Sequence, residues 1–202
     1  MFEKLRKRLS GKESKRRQLA ALLMLVGSGL GLLASFVLSI ESLTLAKNSH
    51  AVLNCDLNAA MSCSAVANHW SAALLGFPNS FIGMITLPVM VTIAVALLAG
   101  AKFPKWFMWG AQLGAVAGLL FASWMFYMSY VEIGALCPWC LTLDAGMLLI
   151  FYGLTRHNIL NKIIEHRGLR RFVDQGYDTL VLASVAALII MAILAKFGSQ
   201  II

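Results

Sequence analysis

At 202 residues, 59% hydrophobic and 13% charged, the chain is too apolar for an ordinary soluble domain. A net charge of +8 would suit nucleic acid, but the basic residues border apolar spans and have no aromatic platform among them, which excludes that class. What is left is an all-α membrane protein in contact with lipid.

Residues 1–18 form a basic tail, with Lys4, Arg6, Lys7, Arg8, Lys12, Lys15, Arg16 and Arg17 set against Glu3 and Glu13. The first span, Leu19 to Ile40, has no charge. At ~1.5 Å per residue it crosses a ~30 Å hydrocarbon core. It is also longer than the usual ~7–15-residue apolar region of a cleaved signal peptide. Gly27, Gly29 and Gly31 lie within it, and small residues let membrane helices pack closely.

A connection of moderate polarity follows, residues 41–79, and carries Cys55 and Cys63. Helical pieces at the membrane surface are expected there, with Trp70 and Phe77 as interfacial anchors. Gly76-Phe77-Pro78-Asn79 reads as a turn. The second span runs from Ser80 to Ala101, with Pro88 a candidate kink, and Lys102 to Lys105 break it from the third. The third span, Trp106 to Val131, is aromatic at both ends. A short link, Glu132 to Leu136, leads to Cys137-Pro138-Trp139-Cys140 and a fourth span ending near Thr155. A basic loop, residues 156–177, precedes the fifth span in 178–202. The expected fold is therefore five transmembrane helices, with residues 19–155 as the core.

All Lys and Arg residues except Lys47 and Lys196 fall in the tail, the Lys102–Lys105 break or the loop after Thr155. By the positive-inside rule those segments are cytoplasmic. The protein is then a multi-pass protein of the inner (cytoplasmic) membrane in a bacterium, with both cysteine pairs in the oxidising periplasm.

Cys137 and Cys140, three apart at a helix start, can close a small disulfide. Pro138 suits the first helical position, where an N–H has no partner. The positive end of the helix dipole lowers a thiol pKa from about 8.5. One pair on a loop and one at a helix end suggest a relay, in which thiol–disulfide exchange moves two electrons per step. The natural sink beside a bilayer is a quinone, since no nicotinamide or flavin fingerprint is present.

The run Asn54-Cys55-Asp56-Leu57-Asn58, then Ser62-Cys63-Ser64, Gly76-Phe77-Pro78-Asn79-Ser80 and Cys137-Pro138-Trp139-Cys140 resembles the vitamin K epoxide reductase (VKOR) family, in its bacterial disulfide-forming branch. The resemblance covers about Leu19 to Thr155. It implies a four-helix bundle around a quinone, plus one extra helix, in a thiol-disulfide:quinone oxidoreductase. It implies that Cys55 meets a thioredoxin-fold, DsbA-like partner, that Cys63 passes electrons to Cys137, and that Cys140 faces ubiquinone or menaquinone. Asn79 matches the family's asparagine that hydrogen-bonds a quinone oxygen, and Trp70 and Asp144 are counted with it as quinone contacts. A DsbB-type protein has its CxxC before its loop pair; here the loop pair comes first. Many bacterial members carry a fused thioredoxin-like domain after the fifth span. This chain ends at Ile202, so the partner is expected to be a separate periplasmic protein. Asp144 departs from the small or aromatic residues of relatives.

Other readings stay open. A structural zinc site would have a loose C-x7-C spacing and no ligand-spaced histidines, so no metal is expected. Two structural disulfides could brace a non-enzymatic membrane subunit. Reduction of vitamin K epoxide itself is a further possibility. Asp144, four residues after Cys140 and on the same helix face, either supplies protons and tunes Cys140 or is a hydrated acid near the interface. His69 is either an interfacial polar residue or a second proton source.

Overall fold

The computed structural model describes residues 2–48, 51–53, 55–58 and 60–201, with side chains omitted for residues 2–10, 12 and 199–201. Asn54 of the cysteine motif and His50 therefore lie outside the described residues, as do the side chains of Lys4, Arg6, Lys7, Arg8 and Lys12.

Among the described residues there are seven α-helices: α1 (Phe2–Lys47), α2 (Cys63–Ala67), α3 (Ser80–Leu98), α4 (Lys105–Tyr127), α5 (Pro138–Leu160), α6 (Arg167–Gln175) and α7 (Tyr177–Ile201). A 3-10 turn, Trp70–Ala73, follows α2, and a wider helical turn, Met128–Ile133, extends α4. Five of these helices (α1, α3, α4, α5 and α7) are long and apolar enough to cross a membrane. The all-α membrane fold expected from the sequence is the fold observed, and α3 continues through Pro88.

Two segments differ from the sequence reading. Helix α1 does not end at Ile40 but runs to Lys47. Leu38 and Leu45 pack against the cysteine cluster, and Glu41, spaced three and four residues from them, shares that helix face. Burying that face carries the helix past the end of its apolar run. Likewise, Arg156 does not open a loop. It pairs with Asp178 at 2.9 Å, and Asn158 donates to Gln112 Oε1 at 2.9 Å. With Arg156 and Asn158 held by these contacts, α5 continues to Leu160. The stretch beyond holds α6, whose Arg170 and Asp174 meet Glu13 and Arg16 of α1 at 3.1 and 3.0 Å.

The centre of the bundle is α1 against α5, and small residues set how close they lie. A Cβ on Gly27 would stand 2.6 Å from the Gly146 carbonyl oxygen, and one on Gly146 would stand 2.6 Å from that of Gly27. Two backbones in contact leave no space for a methyl group. Gly29, by contrast, faces open space. Helix α3 packs on α1 and α4 on α5, around a core that includes Met24, Leu87, Met108, Ile150 and Leu154. Helix α7 is fastened at both ends, by Asp178 to Arg156 and by Phe197 against Leu136 and Ala60. Between these ends an apolar slot of about 780 Å³ separates it from α4 and α5.

Candidate functional site

The segment before α2 is folded around Asp56. Its Oδ1 accepts from the Ser62 hydroxyl at 2.8 Å and the Ser64 N–H at 2.9 Å, and its Oδ2 accepts from the Leu53 N–H at 2.9 Å. Burial pushes the Asp56 carboxyl upward. The bonds from the Ser64 and Leu53 backbone and from the Ser62 and Ser64 hydroxyls outweigh it and hold the pKa below the ordinary carboxylate value. Ser62 caps α2 by accepting from the Ala65 N–H at 3.2 Å.

Two backbone bonds tie this segment to the start of α5. Ser62 N–H donates to Leu136 O at 2.9 Å, and Leu136 N–H donates to Ala60 O at 2.8 Å, making an isolated parallel bridge between Met61 and Leu136. Gly134, at φ +69°, allows the turn that brings the chain from α4 into this bridge. The Ser129 hydroxyl secures it by donating to Ala135 O at 2.6 Å. The residues just beyond the bridge on either side are Cys63 and Cys137.

All four cysteines meet there. Cys55 and Cys63 are joined in a disulfide, with Cα atoms 5.7 Å apart, while Cys137 and Cys140 are free thiols. Cys137 Sγ lies 3.2 Å from Cys63 Sγ. Cys137 caps α5, accepting from the Cys140 N–H at 3.4 Å, and Pro138 occupies the first turn as the sequence suggested. The Cys140 side chain, followed by the backbone N–H groups of Cys140 and Trp139, lowers the Cys137 thiol pKa against the opposing effects of burial and Glu41. Three sulfurs in sequence, with the outermost a thiol inclined to ionise, form a geometry suited to thiol–disulfide exchange.

Sequence reasoning missed Glu41. Its Oε1 lies 3.0 Å from Cys55 Sγ, and Oε2 is buried without a hydrogen-bond partner among the described residues. A carboxylate oxygen of Glu41 and the Cys55 and Cys63 sulfurs lie within 4.8 Å of one another. The signal was its spacing from Leu38 and Leu45; an acid just past an apolar span reads first as the start of a loop.

The residues singled out as quinone contacts separate. Asp144 lines a small cavity with Cys137, Cys140, Val66, Met125, Phe126, Ser129 and Leu141. Thiol, carboxyl and apolar walls suit a quinone chemically, but the cavity measures about 10 Å³, room for about one water. Met125, a flexible side chain, closes one wall. Asn79 does not line this cavity. Its amide nitrogen donates to Ser71 O at 2.6 Å and to Met125 Sδ at 3.7 Å, and its oxygen accepts from the Leu74 N–H at 3.2 Å. Asn79 therefore braces the turn before α3 and touches the cavity only through Met125. Trp70 is exposed and packs edge-on against Trp124 with ring centroids 6.1 Å apart. His69 Nδ1 lies 2.8 Å from the Ser71 hydroxyl.

The family model described as Vitamin K epoxide reductase family matches residues 22–155, well over half of the chain and the stretch from α1 through most of α5. No curated protein matches the chain.

Proposed function

The chain belongs to the Vitamin K epoxide reductase family, and from that premise we propose that it is a membrane thiol-disulfide:quinone oxidoreductase that reoxidises a separate, DsbA-like thioredoxin-fold protein. The observation that carries this reading is the 3.2 Å separation of Cys63 Sγ and Cys137 Sγ, which couples the loop pair to the helix pair. Cys55, on the loop, receives electrons from the partner, and Cys63 exchanges with Cys137. Cys140 faces the membrane acceptor.

A quinone supplies a sink for two electrons and two protons. Cys140 and Asp144 would hold its ring, with Met125 moving aside to admit it and freeing the Asn79 amide to reach a ring oxygen. Trp70 would anchor the Trp70–Ala73 turn at the membrane surface. The charge asymmetry supports an inner-membrane protein with its basic segments cytoplasmic and all four cysteines periplasmic. From Arg16, which meets Asp174, to Glu41, which meets Cys55, α1 spans roughly 37 Å at 1.5 Å per residue. The basic cluster and the cysteines are thus one membrane thickness apart.

The test is coupled turnover by the purified protein, with a reduced DsbA-like protein as donor and ubiquinone or menaquinone as acceptor. One quinone reduced per disulfide formed is expected, with activity lost on Cys→Ala at any of the four positions. Full turnover after joint loss of Cys55 and Cys63 would refute the relay. An inert protein would favour a subunit braced by disulfides.

A further inference from the structure

We propose that Glu41 is a catalytic base for Cys55, taking the proton that must leave this thiol each time the loop disulfide is remade. The inference rests on the relay reading above and assigns it a residue outside the cysteine motifs.

The geometry is specific. Glu41 is largely buried near the end of α1, with Oε1 3.0 Å from Cys55 Sγ and Oε2 without a partner. A buried carboxyl oxygen with nothing to accept from is costly unless the group has another use. In the disulfide state the Cys55 sulfur has no hydrogen, so among the described residues neither oxygen faces a proton donor there. Leu38 and Leu45, packed on the same cluster, fix the helix face from which Glu41 reaches the sulfur.

The step balances as follows. Electrons from the loop pair pass through a mixed disulfide between Cys63 and Cys137. Cys55 Sγ then attacks Cys63 Sγ, and its proton goes to Glu41 Oε1. The Cys55–Cys63 bond forms and the Cys63–Cys137 bond breaks. Cys137 leaves with the electron pair as a thiolate, accepting from the Cys140 N–H. In this step Cys55 is oxidised and Cys137 is reduced, while Cys63 stays at the disulfide level. Without a base, attack depends on the small thiolate fraction of Cys55 at neutral pH. The groups facing Glu41 are Cys55 and Asp56 of the loop, Cys63 of α2, and Cys137 and Cys140 at the start of α5.

The experiment is the pH–rate profile of Glu41→Gln in membranes, driven by the reduced DsbA-like protein. For the protein donor, a loss of about 100-fold is expected at pH 7, shrinking toward pH 9, where an ordinary thiol (pKa about 8.5) ionises without a base. Glu41→Asp should restore part of the rate. A protein-driven rate equal to that of the unchanged protein, or reduced by one factor at every pH, would overturn the proposal. If the unchanged protein does not reduce quinone with this donor, the relay reading fails instead.

Discussion

Met61 and Leu136 form a single parallel bridge between the loop and the lead-in to α5, and the redox geometry hangs on it. Its two bonds, 2.8 and 2.9 Å long, hold in register two segments more than 70 residues apart in sequence, so that Cys63 and Cys137 are neighbours. The bundle sets the depth of α5, and the bridge sets which sulfur faces which.

The depth of α5 depends on contact between two backbones. Gly146→Ala puts a methyl group 2.6 Å from the Gly27 carbonyl, and relieving the overlap requires the helices to separate. A loss of about 1–3 kcal/mol is expected, read as a lower midpoint for thermal unfolding in detergent. Gly29→Ala faces open space and should match or exceed the unchanged protein, because alanine favours helix more than glycine does.

The loop should loosen in acid. The folded-state pKa of Asp56 is depressed, so its contribution is fully present above the unfolded value of about 3.9 and is lost as pH falls through the lower folded value. Limited proteolysis within 48–62 should accelerate below pH ~4 while the bundle persists. Asp56→Asn should show fast cleavage already at pH 7, having lost charge-assisted bonds worth about 1.5–3 kcal/mol each.

Much of this was legible in the sequence. Uncharged runs such as Leu19–Ile40 reveal spans because a bilayer admits few other structures, and Pro138 after Cys137 marks the start of α5. Glu41 was hidden because helix length past an apolar run is decided by what the far face packs against. The extension of α5 through Arg156 was hidden for the same reason: Asp178, its partner, is 22 residues away in another helix. Asn79 shows a different limit. The motif marked the residue, while the structure has its amide engaged with Ser71, Leu74 and Met125, which no spacing rule reveals.

Cys137 should ionise below the ordinary thiol value, with Cys140 as the largest cause. In a Cys63→Ala background its alkylation rate should rise with an apparent pKa below that of an ordinary thiol. Adding Cys140→Ala should move that value upward, because the largest stabilising contact of the thiolate is removed.

The most direct measurement traps the exchange itself. With Cys55→Ala and Cys140→Ala combined, only Cys63 and Cys137 remain, 3.2 Å apart at sulfur. Mild oxidation in membranes, followed by proteolysis and mass spectrometry, should yield a peptide linking Cys63 to Cys137, with little disulfide between separate chains. Recovery of both as free thiols, or joined only between chains, would contradict the account.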